Sequence, residues 1–118
     1  MKRGDVFDAR LDPVEGSEQA GNRPVIVVSR DAINEASPVV VVVPCTTWKP
    51  DRRVYPSQVL LKAPDGGLRA DSLALCEQVR AIAKTRLRSR RGALSAAAVR
   101  RLERALLIAL DLPGPELS

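Results

Sequence analysis

The chain contains no histidine among its 118 residues. Histidine is the usual general base at neutral pH and the commonest transition-metal ligand in proteins. Its absence excludes Ser-His-Asp and Cys-His catalysis, RNA cleavage by a pair of histidines, and metal sites built on imidazole. Any chemistry that this protein performs must therefore use other side chains.

Cysteine is almost as scarce, since the chain has only Cys45 and Cys76. They lie in different segments and form no CxxC pair, so the sequence predicts two buried thiols rather than a metal site. The acidic residues lack the spacing of a magnesium site or a catalytic carboxylate pair, and the glycines form no phosphate loop. We therefore expect no metal and no cofactor.

Long hydrophobic runs are also missing. The N-terminal segment MKRGDVFDAR lacks the apolar core of a signal peptide, and LLIALDL is far shorter than the roughly 20 residues that cross a bilayer. We therefore expect a soluble, cytoplasmic protein without a membrane segment. With 118 residues, 45% of them hydrophobic, the chain has the size of one domain, and we predict a single domain over residues 1–118.

Strand patterns fill the first two thirds of the chain. GDVFDARL alternates apolar and polar residues, whereas PVIVVS and VVVVVPCTT are β-branched runs typical of central strands. SQVLLKA and SLALCEQVRAI predict further strands, the second being a strand or a strand pair. Because Pro44 cannot donate a ladder hydrogen bond, we expect a bulge or an edge just before Cys45.

The last third of the chain changes to a helical period. Ser95 can cap a helix, and apolar residues recur at Val99, Leu102, Leu106 and Leu110, which predicts an α-helix over about residues 95–112. About five strands followed by this helix indicate a mostly β (α+β) fold, a small barrel with a helix packed against it.

Basic residues exceed acidic ones, 19 to 14, and give a formal net charge of +5. This excess would attract a polyanion, with nucleic acid as the leading candidate. The run RLRSRR at residues 86–91 either forms a solvated helix face or faces phosphates. The loop WKPDRRVYP pairs cations that can hold phosphates with aromatic rings that either stack on unpaired bases or cap the core. Its candidate residues are Trp48, Lys49, Arg52, Arg53 and Tyr55.

Arg23 and Thr46 lie at the start of one central strand and at the end of the next. If the two strands are antiparallel neighbours, both residues lie at the same edge of the sheet. A guanidinium and a hydroxyl together suit a phosphate that gains charge in a transition state. The alternative is a structural arginine, paired with Glu18 or Glu77. The residues alone indicate a phosphate site and leave its catalytic role open.

Five segments, in this order, resemble the MazF/PemK toxins of bacterial toxin–antitoxin systems: RGDVF, DPVEGSEQAGNRPVIVVS, VVVPCTT, YPSQVLL and LCEQVRAI. The resemblance covers about residues 2–87. It implies an SH3-like β-barrel of about five to seven strands with a C-terminal α-helix, and a homodimer. It also implies a metal-independent endoribonuclease (mRNA interferase) that cuts single-stranded RNA to 2′,3′-cyclic phosphate and 5′-hydroxyl ends. A cognate antitoxin would block the RNA groove.

The same resemblance assigns roles to individual residues. Arg23 and Thr46 fall on the catalytic positions, and we expect Arg23 to clamp the scissile phosphate while Thr46 donates to a nonbridging oxygen. A guanidinium is a poor proton acceptor at neutral pH, so Arg23 is not assigned the role of base as well. Ser17, Tyr55, Gln58 and Gln78 fall on positions that line the RNA groove of the family. Together with the candidates of the WKPDRRVYP loop and of the first loop, the predicted RNA-binding residues are Ser17, Glu18, Gln19, Trp48, Lys49, Arg52, Arg53, Tyr55, Gln58 and Gln78.

Two other functions are compatible with the same fold. One is a non-catalytic toxin that binds a protein target such as DNA gyrase, as in the CcdB group, although the tail PGPELS lacks the tryptophan of that group. The other is an RNA-binding barrel that performs no chemistry. The presence of both Arg23 and Thr46 favours the enzyme.

Overall fold

The computed structural model of the protein describes residues 1–114. The strands within them are β1 (Asp5–Arg10), β2 (Asn22–Val27), β3 (Val39–Thr47), β4 (Gln58–Leu61), β5 (Ser72–Leu75), β6 (Arg80–Ala83) and β7 (Leu87–Ala93). The helices are α1 (Asp31–Ala36) and α2 (Ala96–Leu110), and short 3-10 turns lie at Asp65–Gly67, Cys76–Gln78 and Lys84–Arg86. Residues 115–118 of the predicted domain, and with them most of the tail PGPELS, lie outside the described part.

The seven strands form one antiparallel sheet in the order β4-β5-β3-β2-β1-β7, with β6 paired to β3. β3 is the shared strand, since it pairs with β2 on one side and with β6 and then β5 on the other. The pairing with β6 ends at Val42 and that with β5 begins at Cys45. Pro44 falls in the gap, so it lies at a local edge, and the bulge offered as the alternative is not formed there.

Successive residues of the strands point to opposite faces of the sheet, and each face is buried. On β2, Ile26 belongs to a core cluster that packs under α2 together with Leu102, whereas Val25 and Val27 belong to a second cluster. Ser95 caps α2 by accepting a hydrogen bond from the backbone N–H of Ala98. The predicted mostly β fold with a C-terminal helix is confirmed. The strand pairing itself does not close into a complete barrel within residues 1–114.

Three local features differ from the sequence-based reading. The segment DAINEASP, for which no element was predicted, contains α1, which is anchored by the buried Asn34 side chain through hydrogen bonds with Ser29. Glu77 lies in a 3-10 turn between β5 and β6 instead of in a strand. Residues 87–91 of the basic run 86–91 lie within β7 at the end of the sheet, so the run forms no helix face. Within the described residues, no helix is both long and apolar enough to span a membrane.

Candidate active site

Arg23 and Thr46 lie together, as the antiparallel arrangement of β2 and β3 predicts. Val25 pairs with Pro44, so Arg23, two residues before Val25 on β2, and Thr46, two residues after Pro44 on β3, meet at the same edge of the sheet. Both side chains line one cavity of about 230 Å³. The Arg23 Nε donates a hydrogen bond to the carbonyl oxygen of Ala20 at 3.1 Å, which orients the guanidinium.

Arg23 forms no ion pair within residues 1–114, where the four ion pairs all involve other basic residues. The Glu18 carboxylate accepts from the backbone N–H of Glu15 at 2.8 Å, and the Glu77 carboxylate accepts from Gln58 Nε2 at 2.7 Å. The structural alternative, in which one of these glutamates neutralises Arg23, is therefore wrong, and the guanidinium keeps its terminal N–H groups available for a ligand.

Two further guanidinium groups line the same cavity, those of Arg69 and Arg91. Arg69 is exposed and follows the Asp65–Gly67 turn, whereas Arg91 is held by an ion pair with Asp8 at 2.7 Å. No acidic residue is among those that line this cavity. The cavity is therefore strongly cationic and suits a phosphate diester.

The polar loop after β3 lies next to this cavity. Thr46 and Thr47 also line a second cavity, of about 460 Å³, which they share with Lys49, Asp51 and Arg52. The structure thus places two of the predicted RNA-binding cations beside Thr46. Because both are exposed, they can meet the backbone of a polyanion that passes the cavity.

The first loop is held to the turn after β5 by Gln78. Its Oε1 accepts from the backbone N–H of Gln19 at 2.9 Å, and its Nε2 donates to the carbonyl oxygen of Ser17 at 3.3 Å. Gln19, Gln78 and Pro44 line a cavity of about 240 Å³, together with Glu18. Since Pro44 and Thr46 are two residues apart on β3, this cavity and the Arg23 cavity lie along the same face of the strand.

The two loop aromatics are placed differently from each other. Tyr55 is 51% exposed and packs against the Arg53 guanidinium, 5.1 Å from the ring centroid, so it does not cap the core. The Trp48 Nε1 donates to the carbonyl oxygen of Arg52 at 3.1 Å. Arg53, Tyr55 and Gln58 do not line the cavities described above, although Gln58 reaches the Gln78 turn through Glu77.

The family comparison agrees with this arrangement. Residues 2–110 match the model of the PemK-like, MazF-like toxin of type II toxin–antitoxin systems. The chain belongs to this PemK/MazF toxin family. It is 43% identical over 117 residues to endoribonuclease MazF9 of Mycobacterium tuberculosis, covering 95% of this chain and 98% of that one. It is 38% identical over 112 residues to endoribonuclease MazF of Staphylococcus saprophyticus, covering 95% of this chain and 92% of that one.

Solved structures of the family share the fold over nearly the whole chain. An endoribonuclease in complex with its cognate antitoxin, from a mycobacterial species, superposes with a TM-score of 0.80 at 28% identity, covering 98% of this chain and 99% of that one. MazF from Deinococcus radiodurans gives a TM-score of 0.80 at 23% identity, covering 95% of this chain and 97% of that one. The MazF-like fold therefore holds for this chain.

Two buried cysteines lie near the Arg23 cavity, and one of them, Cys45, is among the residues that line it. Both are free thiols, as predicted. Burial raises the pKa of the Cys45 thiol to about 12, and the neighbouring Cys76 adds to the increase. Burial likewise raises the pKa of Cys76 to about 12, with Glu77 adding to it. Neither thiol is a nucleophile at neutral pH, because each stays protonated.

The residues of the Arg23 cavity that sequence reasoning missed include Asn22, Arg69 and Arg91. Asn22 precedes Arg23 in the quoted motif, yet an asparagine in a loop is too common to indicate a site. Arg91 belongs to the basic run 86–91, and that run was its only signal. Arg86, from the same run, donates hydrogen bonds to the carbonyl oxygens of Arg10 and Asp12.

Proposed function

We propose that the protein is a metal-independent endoribonuclease toxin that cleaves single-stranded RNA and that a cognate antitoxin neutralises. The observation that carries this proposal is the pairing of Arg23 with Thr46 in a cavity lined by three arginines and no acidic residue. Membership of the toxin family and the endoribonuclease names of the two curated relatives support it.

The reaction needs no nucleophile from the protein. The 2′-hydroxyl of the RNA attacks the adjacent phosphorus, the 2′ oxygen–phosphorus bond forms, and the bond from phosphorus to the 5′ oxygen breaks. One proton leaves the 2′ oxygen and one is gained by the 5′ oxygen, so the products are a 2′,3′-cyclic phosphate and a 5′-hydroxyl. Positioning and charge stabilisation supply the catalysis, which is why a chain without histidine can perform it.

Arg23 and Thr46 are the proposed catalytic residues. The guanidinium clamps the scissile phosphate and stabilises the charge that its nonbridging oxygens gain, and one of its N–H groups assists protonation of the leaving 5′ oxygen. The Thr46 hydroxyl donates a further hydrogen bond to a nonbridging oxygen. Because Arg23 is already oriented by Ala20, little reorganisation is needed when the transition state forms.

The other predicted RNA-binding residues are proposed to line the path of the substrate. Lys49 and Arg52 lie next to Thr46, and Gln19 and Gln78 lie further along the same face of β3. We also propose a cytoplasmic homodimer. The complex of a mycobacterial relative with its cognate antitoxin supports an antitoxin as the second partner.

The direct test is incubation of the purified protein with a long single-stranded RNA in excess EDTA, followed by mapping of the ends. We expect cuts at one recurring short sequence, with 5′-hydroxyl and 2′,3′-cyclic phosphate ends. A DNA strand of the same sequence should stay intact, because it has no 2′-hydroxyl. Intact RNA, or cleavage that leaves 5′-phosphate ends, would overturn the proposed reaction.

Thr46→Val is the matched variant for the hydroxyl, because valine keeps the β-branched shape. We expect its cleavage rate to fall about 10²- to 10³-fold or less, the usual cost of one preorganised donor. Unfolding in urea provides the control. If Thr46→Val cleaves at the wild-type rate and folds normally, the hydroxyl has no catalytic role.

A further inference from the structure

Arg91 occupies an extra position in β7. Val6 of β1 pairs with Gly92, but the next residue, Phe7, pairs with Arg90, so Arg91 has no partner of its own in β1. An extra residue of this kind is a β-bulge, which turns a side chain away from the direction that regular alternation would give it. At this bulge, neighbouring Arg90 and Arg91 form ion pairs with two aspartates of β1, Asp5 and Asp8 respectively.

The backbone and the side chain of Arg91 are both held in place. A Cβ added at Gly67 would lie only 2.2 Å from the Arg91 carbonyl oxygen, so the Asp65–Gly67 turn packs directly against this residue. The Arg91 Nε donates to Asp8 Oδ1 at 2.7 Å, and the side chain is only 19% exposed. The two terminal nitrogens have no hydrogen-bond partner among residues 1–114, so they are available to a ligand.

Arg91 and Asn22 form the wall between two cavities. One is the Arg23 cavity, and the other is a larger cavity of about 630 Å³, lined by residues of β1 and β7 and by the start of β2. The larger one also contains Arg10 and Arg88, which are both exposed.

The two acidic residues of the larger cavity are already engaged. Asp8 is paired with Arg91, and Asp12 accepts a hydrogen bond from the backbone N–H of Gly21 at 3.1 Å. Arg88 has no ion pair or hydrogen bond within the described residues, so its full charge faces the opening. Three arginines line this cavity against two aspartates, so its net charge is positive, as in the Arg23 cavity.

We propose that Arg91 and Arg88 form a second phosphate-binding subsite for single-stranded RNA. The RNA backbone runs from the Arg23 cavity across Arg91 into the cavity between β1 and β7. That the ligand is RNA rests on the proposed function, whereas the subsite itself is inferred from the arginines and the two cavities. Guanidinium contacts to phosphate carry no sequence information, so the subsite adds affinity and positions the substrate without selecting the cut sequence.

The test measures RNA binding as a function of salt for Arg88→Gln and Arg91→Gln. The probe is the RNA of the cleavage assay with one 2′-deoxynucleotide at the mapped cut, or the unmodified RNA if the protein does not cut it. The matched control is Arg100→Gln, which removes one exposed charge from α2. Thermal unfolding checks that Arg91→Gln still folds without its ion pair, and Arg88→Gln breaks no such contact.

We expect each of the two variants to reduce the slope of log K against log salt by about 0.7, the value for one phosphate contact to a single strand. Extrapolated from 1 M to 0.1 M salt, that slope corresponds to about fivefold weaker binding. Arg100→Gln should match the wild type, and the cut sequence should not change.

Slopes for Arg88→Gln and Arg91→Gln that equal the slope of Arg100→Gln would overturn the subsite while leaving the proposed enzyme intact. If the two variants show the expected slope changes but the wild-type protein does not cut RNA, the proposed function is overturned and the subsite stands. A wild-type protein that does not bind RNA would overturn both.

Discussion

Replacing Gln78 should separate a residue that holds the site together from one that only contacts RNA. Its side chain makes two hydrogen bonds to the backbone of the first loop, at Gln19 N and Ser17 O. Gln78→Met keeps the length of the side chain and removes both bonds. Each neutral hydrogen bond contributes about 0.5 to 1.5 kcal/mol, and one of these is exposed, so we expect a loss of about 1 to 2 kcal/mol.

Gln78→Glu is the comparison variant, because a carboxylate keeps the acceptor for Gln19 N, loses the donor to Ser17 and adds a negative charge beside Glu18 and Glu77. The added charge opposes the bond that is kept, so we expect Gln78→Glu to lose at least half as much free energy of unfolding as Gln78→Met, measured in urea. In the cleavage assay, release of the loop by 1 to 2 kcal/mol corresponds to a decrease in kcat/KM of about 5- to 30-fold for Gln78→Met. If Gln78→Met keeps the wild-type free energy of unfolding and the wild-type kcat/KM, the reasoning is refuted, since the two bonds would then not stabilise the first loop.

Three further predictions concern stability. Because the pKa of Cys45 is raised in the folded protein, its thiol ionises only in the unfolded chain as pH rises above about 9. Between pH 9 and 10 the free energy of unfolding should therefore fall by about 1 kcal/mol more in the wild type than in Cys45→Ala. Gly67→Ala should lower the free energy of unfolding, measured in urea, by about 2 to 5 kcal/mol, because Gly67 has a φ of +74° and its new Cβ would meet the Arg91 carbonyl. Gly16→Ala is the control, since Gly16 also has a positive φ but open space around it, and it should cost about 1 to 2 kcal/mol. Ser95→Ala removes the cap of α2 and should lower the unfolding temperature through a loss of about 1 kcal/mol; an unchanged transition would show that the cap is dispensable.

The central strands and the pair formed by Arg23 and Thr46 were predictable from the sequence. Two β-branched runs that lie close together in the chain favour antiparallel neighbours, and that arrangement alone brings the start of one to the end of the other. The register of β2 against β3 agrees with this expectation. The helix α2 was predictable for a similar reason, since its period and its cap are both local signals.

The rest of the site depends on contacts between distant parts of the chain. Arg91 reaches Asp8 across 83 positions in the sequence, at a point where β7 bulges opposite β1. No local pattern encodes where an edge strand bulges, so the basic run 86–91 was compatible with a helix face or with phosphate contacts. The helix α1 was missed because its six residues are too few to show a helical period.

The central claim is that Arg23, free of acidic partners, stabilises the charge on a phosphodiester as RNA is cut. The most direct test is the single-turnover cleavage rate of Arg23→Ala in EDTA, compared with Arg100→Ala as a control for the loss of one positive charge. We predict a rate about 10²- to 10³-fold below the wild type for Arg23→Ala and a wild-type rate for Arg100→Ala. Equal rates for the two variants would contradict the account.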